Sequence, residues 1–404
     1  MLKIIIILMF ILMKGFEFTV ERVNHICQGK ELPENVKDVY DADEYDKWRN
    51  YENDSEKFSI ISEVVSIAFS LILLVTNAYA WMFRMLPGFN EYIQSLIVIL
   101  ALSVMTTIIS VPFKYYDTFV IEEKYGMNKT TRTTFWLDVL KEFIISIIIV
   151  FLFTAIVMFL FDTFGNTAII LATVVMLVIS LVLALIIIPL MWIFNKFTPL
   201  EDGELKDKLI GLCEKYGLKV KKIVVKDASR RTTKSNAFCT GLGKFKTISL
   251  DDNLVNNFED DEIVAVFAHE FAHARYKHII KSLPFSLFRT LITFAVLGLL
   301  LNYSGLCTAF GFDGVNYFFA LQLLSIISWP LTKLLDIVSN YISRKHEYQA
   351  DAFAAKEGYG DKLIAALKRL SKEALSDINP HPVKVVLDYS HPTLSQRITA
   401  IEGI

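Results

Sequence analysis

The chain has 404 residues, 53% of them hydrophobic, a mean hydropathy of +0.44 and a net charge of -2. That composition excludes an ordinary soluble domain, and the balanced charge gives neither a basic field for nucleic acid nor an acidic tail for a charged partner. Cys27, Cys213, Cys239 and Cys307 form no CxxC pair and no even framework, so neither a disulfide scaffold nor a cysteine metal site is indicated.

The first apolar stretch, Ile4–Val20, is interrupted by Lys14 and Glu17. It reads either as a secretory signal with Lys3 as a minimal basic region or as a retained first span. No small-x-small cleavage site precedes the acidic segment that follows, which favours the span. Six further runs reach the roughly 20 apolar residues needed to cross a bilayer. They fall near Val64–Phe83, Tyr92–Phe113, Phe143–Phe161, Ala168–Phe194, Leu283–Leu301 and Val315–Leu335, making seven spans in all.

Between the fifth and sixth spans lies one large polar segment, Asn195–Lys281. "KDKLIGLCEKYG" (Lys206–Gly217) has helical spacing and stops at a glycine. "VKKIVVKD" (Val220–Asp227) reads as a strand, and "SNAFCTGLGKFKTISLDD" (Ser235–Asp252) as two strands around a Gly-Leu-Gly-Lys turn. "EDDEIVAVFAHEFAHARYKH" opens with acidic residues and continues as a helix, so its HExxH sits on a helix. After the last span come a second helical pattern, "SNYISRKHEYQADAFAAKEG" (Ser339–Gly358), and a short tail. The expected division is 1–194 for spans one to five, 195–282 for a metal-bearing domain, 283–338 for spans six and seven, and 339–404 for helices completing the site. Lys and Arg are abundant in the polar segment and in "FKYYDTFVIEEKYGMNKTTR" but absent from the turns near Asp162–Gly165 and Asn302–Gly314. The positive-inside rule then places the polar segment and the C-terminus in the cytosol, with a lumenal N-terminus.

His269 and His273 are four residues apart and share one helix face, about 6 Å apart along the axis, within reach of one Zn²⁺. Glu270 points beside that face, suited to take a proton from a water that the metal polarises. His278, a further histidine on what reads as the same helix, is turned to the opposite side and reads as a helix-end residue near the membrane surface. A catalytic zinc needs a third protein ligand. Glu347 and Asp351 share a helix face in "SRKHEYQADAFA", where Glu347 fits a ligand and Asp351 an acceptor for a ligating histidine. The bland alternative is a solvated acidic pair matched by Arg344 and Lys345, and the unpaired HExxH tips the choice to Glu347. His346 points elsewhere.

At these residues the chain resembles the type I CAAX prenyl proteases, integral-membrane zinc metalloendopeptidases of the endoplasmic reticulum. The likeness extends over "FVIEEKYGMNKTT" (Phe119–Thr131), "NKFTPLEDGELKDKL" (Asn195–Leu209), "KSNAFCTGL" (Lys234–Leu242), "TAFGF" (Thr308–Phe312), "SRKHEYQADAFA" and "YSHPTLSQRITAI" (Tyr389–Ile401). It implies a predominantly α membrane protein: seven transmembrane helices around a water-filled chamber, with a gluzincin-like domain containing a small β-sheet. It implies one Zn²⁺ on His269, His273 and Glu347, with Glu270 as general base. The family's Asn-Ala pair falls on Asn236 and Ala237, on a segment that also reads as a strand able to pair with an extended substrate; a plain edge strand is the alternative. His391 and Arg397 match the family's C-terminal His and Arg, expected to hold the oxyanion. The family's HELGHW becomes Phe271, Ala272 and Ala274 at its variable positions here, none of them a chemical group.

The implied activity is cleavage of prenylated CAAX proteins, releasing the residues after the lipidated cysteine, at a site bordering membrane lipid. The alternatives are a quality-control membrane protease acting on unlipidated proteins and a zinc-binding transporter or scaffold, which would not need Glu270.

Overall fold

Helices dominate the computed structural model, which describes residues 1–27, 31–217, 220–240 and 246–404. Helix α1 (Leu2–Cys27) runs past the weak apolar stretch at both ends. Its two interrupting charges answer each other: Lys14 Nζ lies 2.8 Å from Glu17, which also accepts a 3.0 Å bond from the Trp329 indole. Helix α2 (Ala42–Val75) starts well before the expected span Val64–Phe83 and stops inside it. Asp41 and Glu44 form a capping box that starts it. It ends where Asn77 takes the left-handed conformation, after which the short α3 (Ala78–Arg84) carries the rest of the run. The polar first half of α2 is helical because Trp48 on it is buried in the core that also holds the HExxH helix.

Helix α4 (Glu91–Tyr116) continues into a π-helical turn, Asp117–Glu122. Helices α5 (Arg132–Phe164) and α6 (Ala168–Met191) are joined by a tight turn at Gly165, whose φ of 53° suits a residue without Cβ. The polar segment then folds as β1 (Phe197–Pro199), α7 (Glu204–Lys215), β2 (Val220–Lys226), β3 (Ala237–Thr240) and β4 (Lys246–Asp251). The four strands form one sheet in the order β1-β2-β4-β3; β2 and β4 are parallel and the other pairings antiparallel. The expected Gly241–Lys244 turn lies outside the described residues. Among those residues β3 pairs only with β4, so it is an edge strand.

After α8 (Asp252–Asn257) comes α9 (Asp260–Arg275), the HExxH helix, started by a capping box of Glu259 and Glu262. Helix α10 (His278–Leu301) follows, with Gly298 letting it approach α6: a Cβ there would fall 2.8 Å from Ile169 Cδ1. Beyond the four-residue α11 (Gly305–Thr308), helix α12 (Tyr317–Ala354) is one unbroken element of 38 residues. The expected span Val315–Leu335 and the expected separate helix Ser339–Gly358 are therefore a single helix. Nothing in "DIVSNYIS" breaks it, because an isolated Ser-Asn pair costs a helix only a few tenths of a kcal/mol each. The tail after it consists of three helices, α13 (Gly360–Glu373), α14 (Pro382–Asp388) and α15 (Leu394–Glu402), in the region expected to be helical.

Five helical stretches among the described residues are long and apolar enough to cross a membrane, and one of them, Arg132–Leu183, contains both α5 and part of α6. The molecule has two ends. At one, the α4–α5 connection bridges to the sheet region, with Asn128 paired to Thr232 and Arg231 bonded to Asp138. At the other, Lys3 donates to the Val75 carbonyl and Asn77, and Asn302 donates to Asn166. Helix α1 connects the two, since Asn24 near its C-terminus accepts from the His381 backbone.

Candidate metal centre

Almost every side chain of α9 from Ile263 to Ala272 is buried, because sheet, α7, α12 and α13 all pack around it. That burial fixes the HExxH face with little freedom. His269 Nε2 and His273 Nε2 are 3.2 Å apart. Glu347, brought in by α12, places Oε2 3.4 Å from His269 Nε2 and Oε1 3.3 Å from His273 Nε2. His269, His273 and Glu347 thus form one group whose candidate ligand atoms all lie within 4.8 Å of one another.

The spacing decides what the group is for. Ligands held tetrahedrally at about 2.0–2.1 Å from one ion stand about 3.3 Å from each other; the two imidazole nitrogens have that separation, and each Glu347 oxygen lies close to one of them. The buried Glu347 Oε2 has no hydrogen-bond partner, a costly arrangement for a carboxylate oxygen unless a cation answers it. The residues present fit a divalent metal.

Behind His269, Nδ1 lies 2.8 Å from Asp351 Oδ1, which fixes the ring and leaves Nε2 free to coordinate. Arg397 on α15 clamps that carboxylate, its Nη2 2.6 Å from Oδ1 and its Nε 2.9 Å from Oδ2, and Nη2 lies 3.3 Å from His269 Nδ1. Burial opposes the charge on Arg397, but Asp351 outweighs it and raises the guanidinium pKa. Burial likewise favours neutral His269, yet the bond to Asp351 and the negative charge of nearby Glu347 prevail and raise its pKa to about 9. A metal at Nε2 must therefore displace a proton.

A cavity of about 180 Å³ adjoins the cluster, lined by Asn236, Ala237, Glu270, Glu347, His391 and Arg397 among others. Glu270 faces this cavity and stands outside the ligand group. His391 is exposed, with Nε2 3.6 Å from Glu347 Oε1 and Nδ1 2.9 Å from Ser390 Oγ. Asn236 caps its own strand, its side chain accepting from the Ala237 amide at 2.8 Å, so both sit where edge strand β3 meets the cavity. All the residues singled out from the sequence for this site come together here.

His278 differs from its expected place. Helical spacing turns it to the opposite side, as a helix-end residue near the membrane surface; in the structure it is buried and folds back on His273, Nδ1 to Nδ1 at 3.0 Å. The reason is Lys277, whose left-handed φ of 58° separates α9 from α10 and reverses the helical-wheel argument. His346, read as pointing elsewhere, stacks on the His278 ring at 4.0 Å. Gln349, not singled out at all, bonds His278 Nε2 at 3.1 Å. Its only sequence signal was the spacing from Glu347 and Asp351 on one helix.

An HExxH pair on a largely buried helix, a glutamate brought beside it by a long helix that begins as an apolar run, a further glutamate outside the ligand group and an adjoining edge strand are the parts of a membrane metallopeptidase. The comparisons with known proteins narrow this. Residues 22–196 match the family model described as CAAX prenyl protease N-terminal, five membrane helices, and residues 199–404 match peptidase family M48. The chain belongs to that family. It is 34% identical to CAAX prenyl protease 1 of Saccharomyces cerevisiae over 404 residues, covering 93% of this chain and 89% of that protein. It is also 34% identical to a CAAX prenyl protease 1 homolog of Arabidopsis thaliana, covering 92% and 90%. The crystal structure of S. mikatae Ste24p superposes with a TM-score of 0.93 at 34% identity, covering 100% of this chain and 99% of that one.

Proposed function

We propose that this protein is a zinc metalloendopeptidase that cleaves the C-terminal CAAX motif of prenylated proteins after the lipidated cysteine. The observation that carries the reading is the three-residue ligand cluster beside the cavity and edge strand, in a chain alike over nine-tenths of its length to proteins named for that activity. A quality-control protease for unlipidated proteins has no such support.

His269, His273 and Glu347 would hold the single zinc, the ion favoured by two imidazoles and a carboxylate with an open fourth position. When bound, zinc would polarise the scissile carbonyl and make a neighbouring water acidic. Glu270, free of the ligand cluster, takes the proton of the attacking water and delivers it to the leaving amine. Asn236 and the β3 edge at Ala237 align an extended substrate backbone by strand addition. His391, exposed to the cavity and held by Ser390, donates to the developing oxyanion. Arg397 lines the same cavity and shares that task, while its Nε and Nη2 hold Asp351 and through it His269.

The architecture read from the sequence completes the proposal. Seven helices, α1, α2, α4, α5, α6, α10 and α12, cross the endoplasmic reticulum membrane around a water-filled chamber, with residues 195–282 and 339–404 forming the catalytic part on the cytosolic side. The prenyl chain would stay in an apolar environment during cleavage, at about 0.8 kcal/mol per buried CH₂.

The test is hydrolysis of matched farnesylated and unlipidated CAAX peptides by the purified protein. The farnesylated peptide should be cut much faster, and Glu270→Gln should cut neither; equal rates on both peptides would refute the assignment.

A further inference from the structure

His269 and His273 occupy equivalent ligand positions, yet their far sides are built differently. His269 backs onto a carboxylate, Asp351. His273 backs onto another imidazole, His278, which in turn backs onto the Gln349 amide. His273 Nε2 faces Glu347 and His269, so a ligand there needs its proton on Nδ1. The partner of that Nδ1 is His278 Nδ1, at 3.0 Å, which then accepts. A neutral ring accepting at Nδ1 carries its own proton on Nε2, and that nitrogen meets Gln349 Oε1, an acceptor, at 3.1 Å. Every donor in the row therefore faces an acceptor in one direction only, from His273 through His278 to Gln349. The His278 ring has little room to choose otherwise: it is buried, it lies parallel to His346 at an interplanar angle of 5°, and Tyr276 flanks it at 5.7 Å.

We propose that His278 and Gln349 are positioning residues for the metal: a neutral hydrogen-bond relay that fixes the tautomer and orientation of His273. The proposal rests on the metal-site reading above. The helix break at Lys277 belongs to it, since a continuous helix would carry His278 to the opposite side. The two metal-ligating histidines are thereby supported asymmetrically, one by an anion and one by a neutral chain.

The test uses the full-length protein in detergent with Zn²⁺ and Co²⁺ as probes, measuring affinity by chelator competition and the visible absorption of the Co²⁺ form. An asparagine places its amide oxygen where His Nδ1 stands, whereas a glutamine reaches the Nε2 position. His278→Asn should keep affinity and spectrum near those of the unmodified protein. His278→Gln and His278→Phe should lose about 10–100-fold in affinity and change the Co²⁺ spectrum. Equal affinity for all three variants, or an Asn variant no better than Phe, would overturn the relay. The Asn–Gln comparison uses two amides of similar size and stands even if the Phe variant folds poorly. His269→Ala run alongside separates the two failures. Undiminished metal binding there removes the metal site itself, whereas loss there with an unmoved His278 series removes only the relay.

Discussion

Glu270 sits between the two candidate ligand histidines in sequence but outside their cluster in space, and this sets different outcomes for neighbouring substitutions. Glu270→Gln should retain zinc, measured as metal per chain, while the rate of peptide cleavage falls about 10²–10⁴-fold. His391→Ala should also retain zinc and lose about 10²–10³-fold in kcat with little change in KM, since an oxyanion donor acts mainly in the transition state. The raised pKa of His269, about 9, makes metal binding a proton exchange. Below that value the protonated imidazole must release its proton, so zinc affinity should rise with pH, by up to roughly tenfold per unit, and level off above pH 9. Calorimetry in buffers of different ionisation enthalpy at pH 7 would detect about one proton released per zinc. At this scale much was legible: residues four apart on a helix must share a face, which is enough to pair His269 with His273 and Glu347 with Asp351. His278 was not legible, because "ARYKH" contains no glycine to announce the left-handed Lys277, and one such residue reverses the direction of everything after it.

Helix α12 carries both an apolar stretch long enough to cross a membrane and Glu347, so the proposed third ligand continues from that stretch on one helix. Inserting one alanine between Val338 and Ser339 would rotate Glu347 by about 100° and move it about 1.5 Å relative to the lower helix. The expected result is loss of stoichiometric zinc and of activity, read by metal analysis, while the protein still inserts into membranes. Apolar runs announced the spans, but periodicity gives no warning when a helix continues in water beyond its apolar part. That is why the length of α12 and the polar first half of α2 went unread: both extensions are held by burial against distant segments, as with Trp48 and Glu347, which sequence spacing does not report. The last helix was readable, with Thr393 and Gln396 forming a capping box before the apolar run.

The whole molecule is tied together at the metal, since its candidate ligands come from α9 and α12, and Arg397 from α15 holds their support. Zinc should therefore raise the thermal midpoint of the purified protein, and chelation should lower it; zinc at about 100 times its Kd adds about 2.7 kcal/mol. His269→Ala should lose most of that dependence, as a melting series with and without added zinc would show. Sidedness has a separate check: Asp202→Cys and Tyr303→Cys, each in a background lacking the native cysteines, should react with an impermeant thiol reagent from opposite faces of sealed vesicles. The expected orientation rests on basic residues near the span ends, whereas the hollow or filled interior of the bundle depends on how much of each helix is covered, a property of packing alone. Helix α12 also makes the protein a lever. Its 38 residues span about 57 Å with Pro330 inside the apolar part, and the stretch from Leu335 to Glu347 continues as helix beyond that proline; helices tilt to match the thickness of the bilayer around them. Each degree of tilt about the apolar part swings Glu347, about 18 Å beyond Leu335, by roughly 0.3 Å. Zinc affinity should therefore differ between vesicles of short-chain and long-chain lipids, a dependence that metal titration in the two would read.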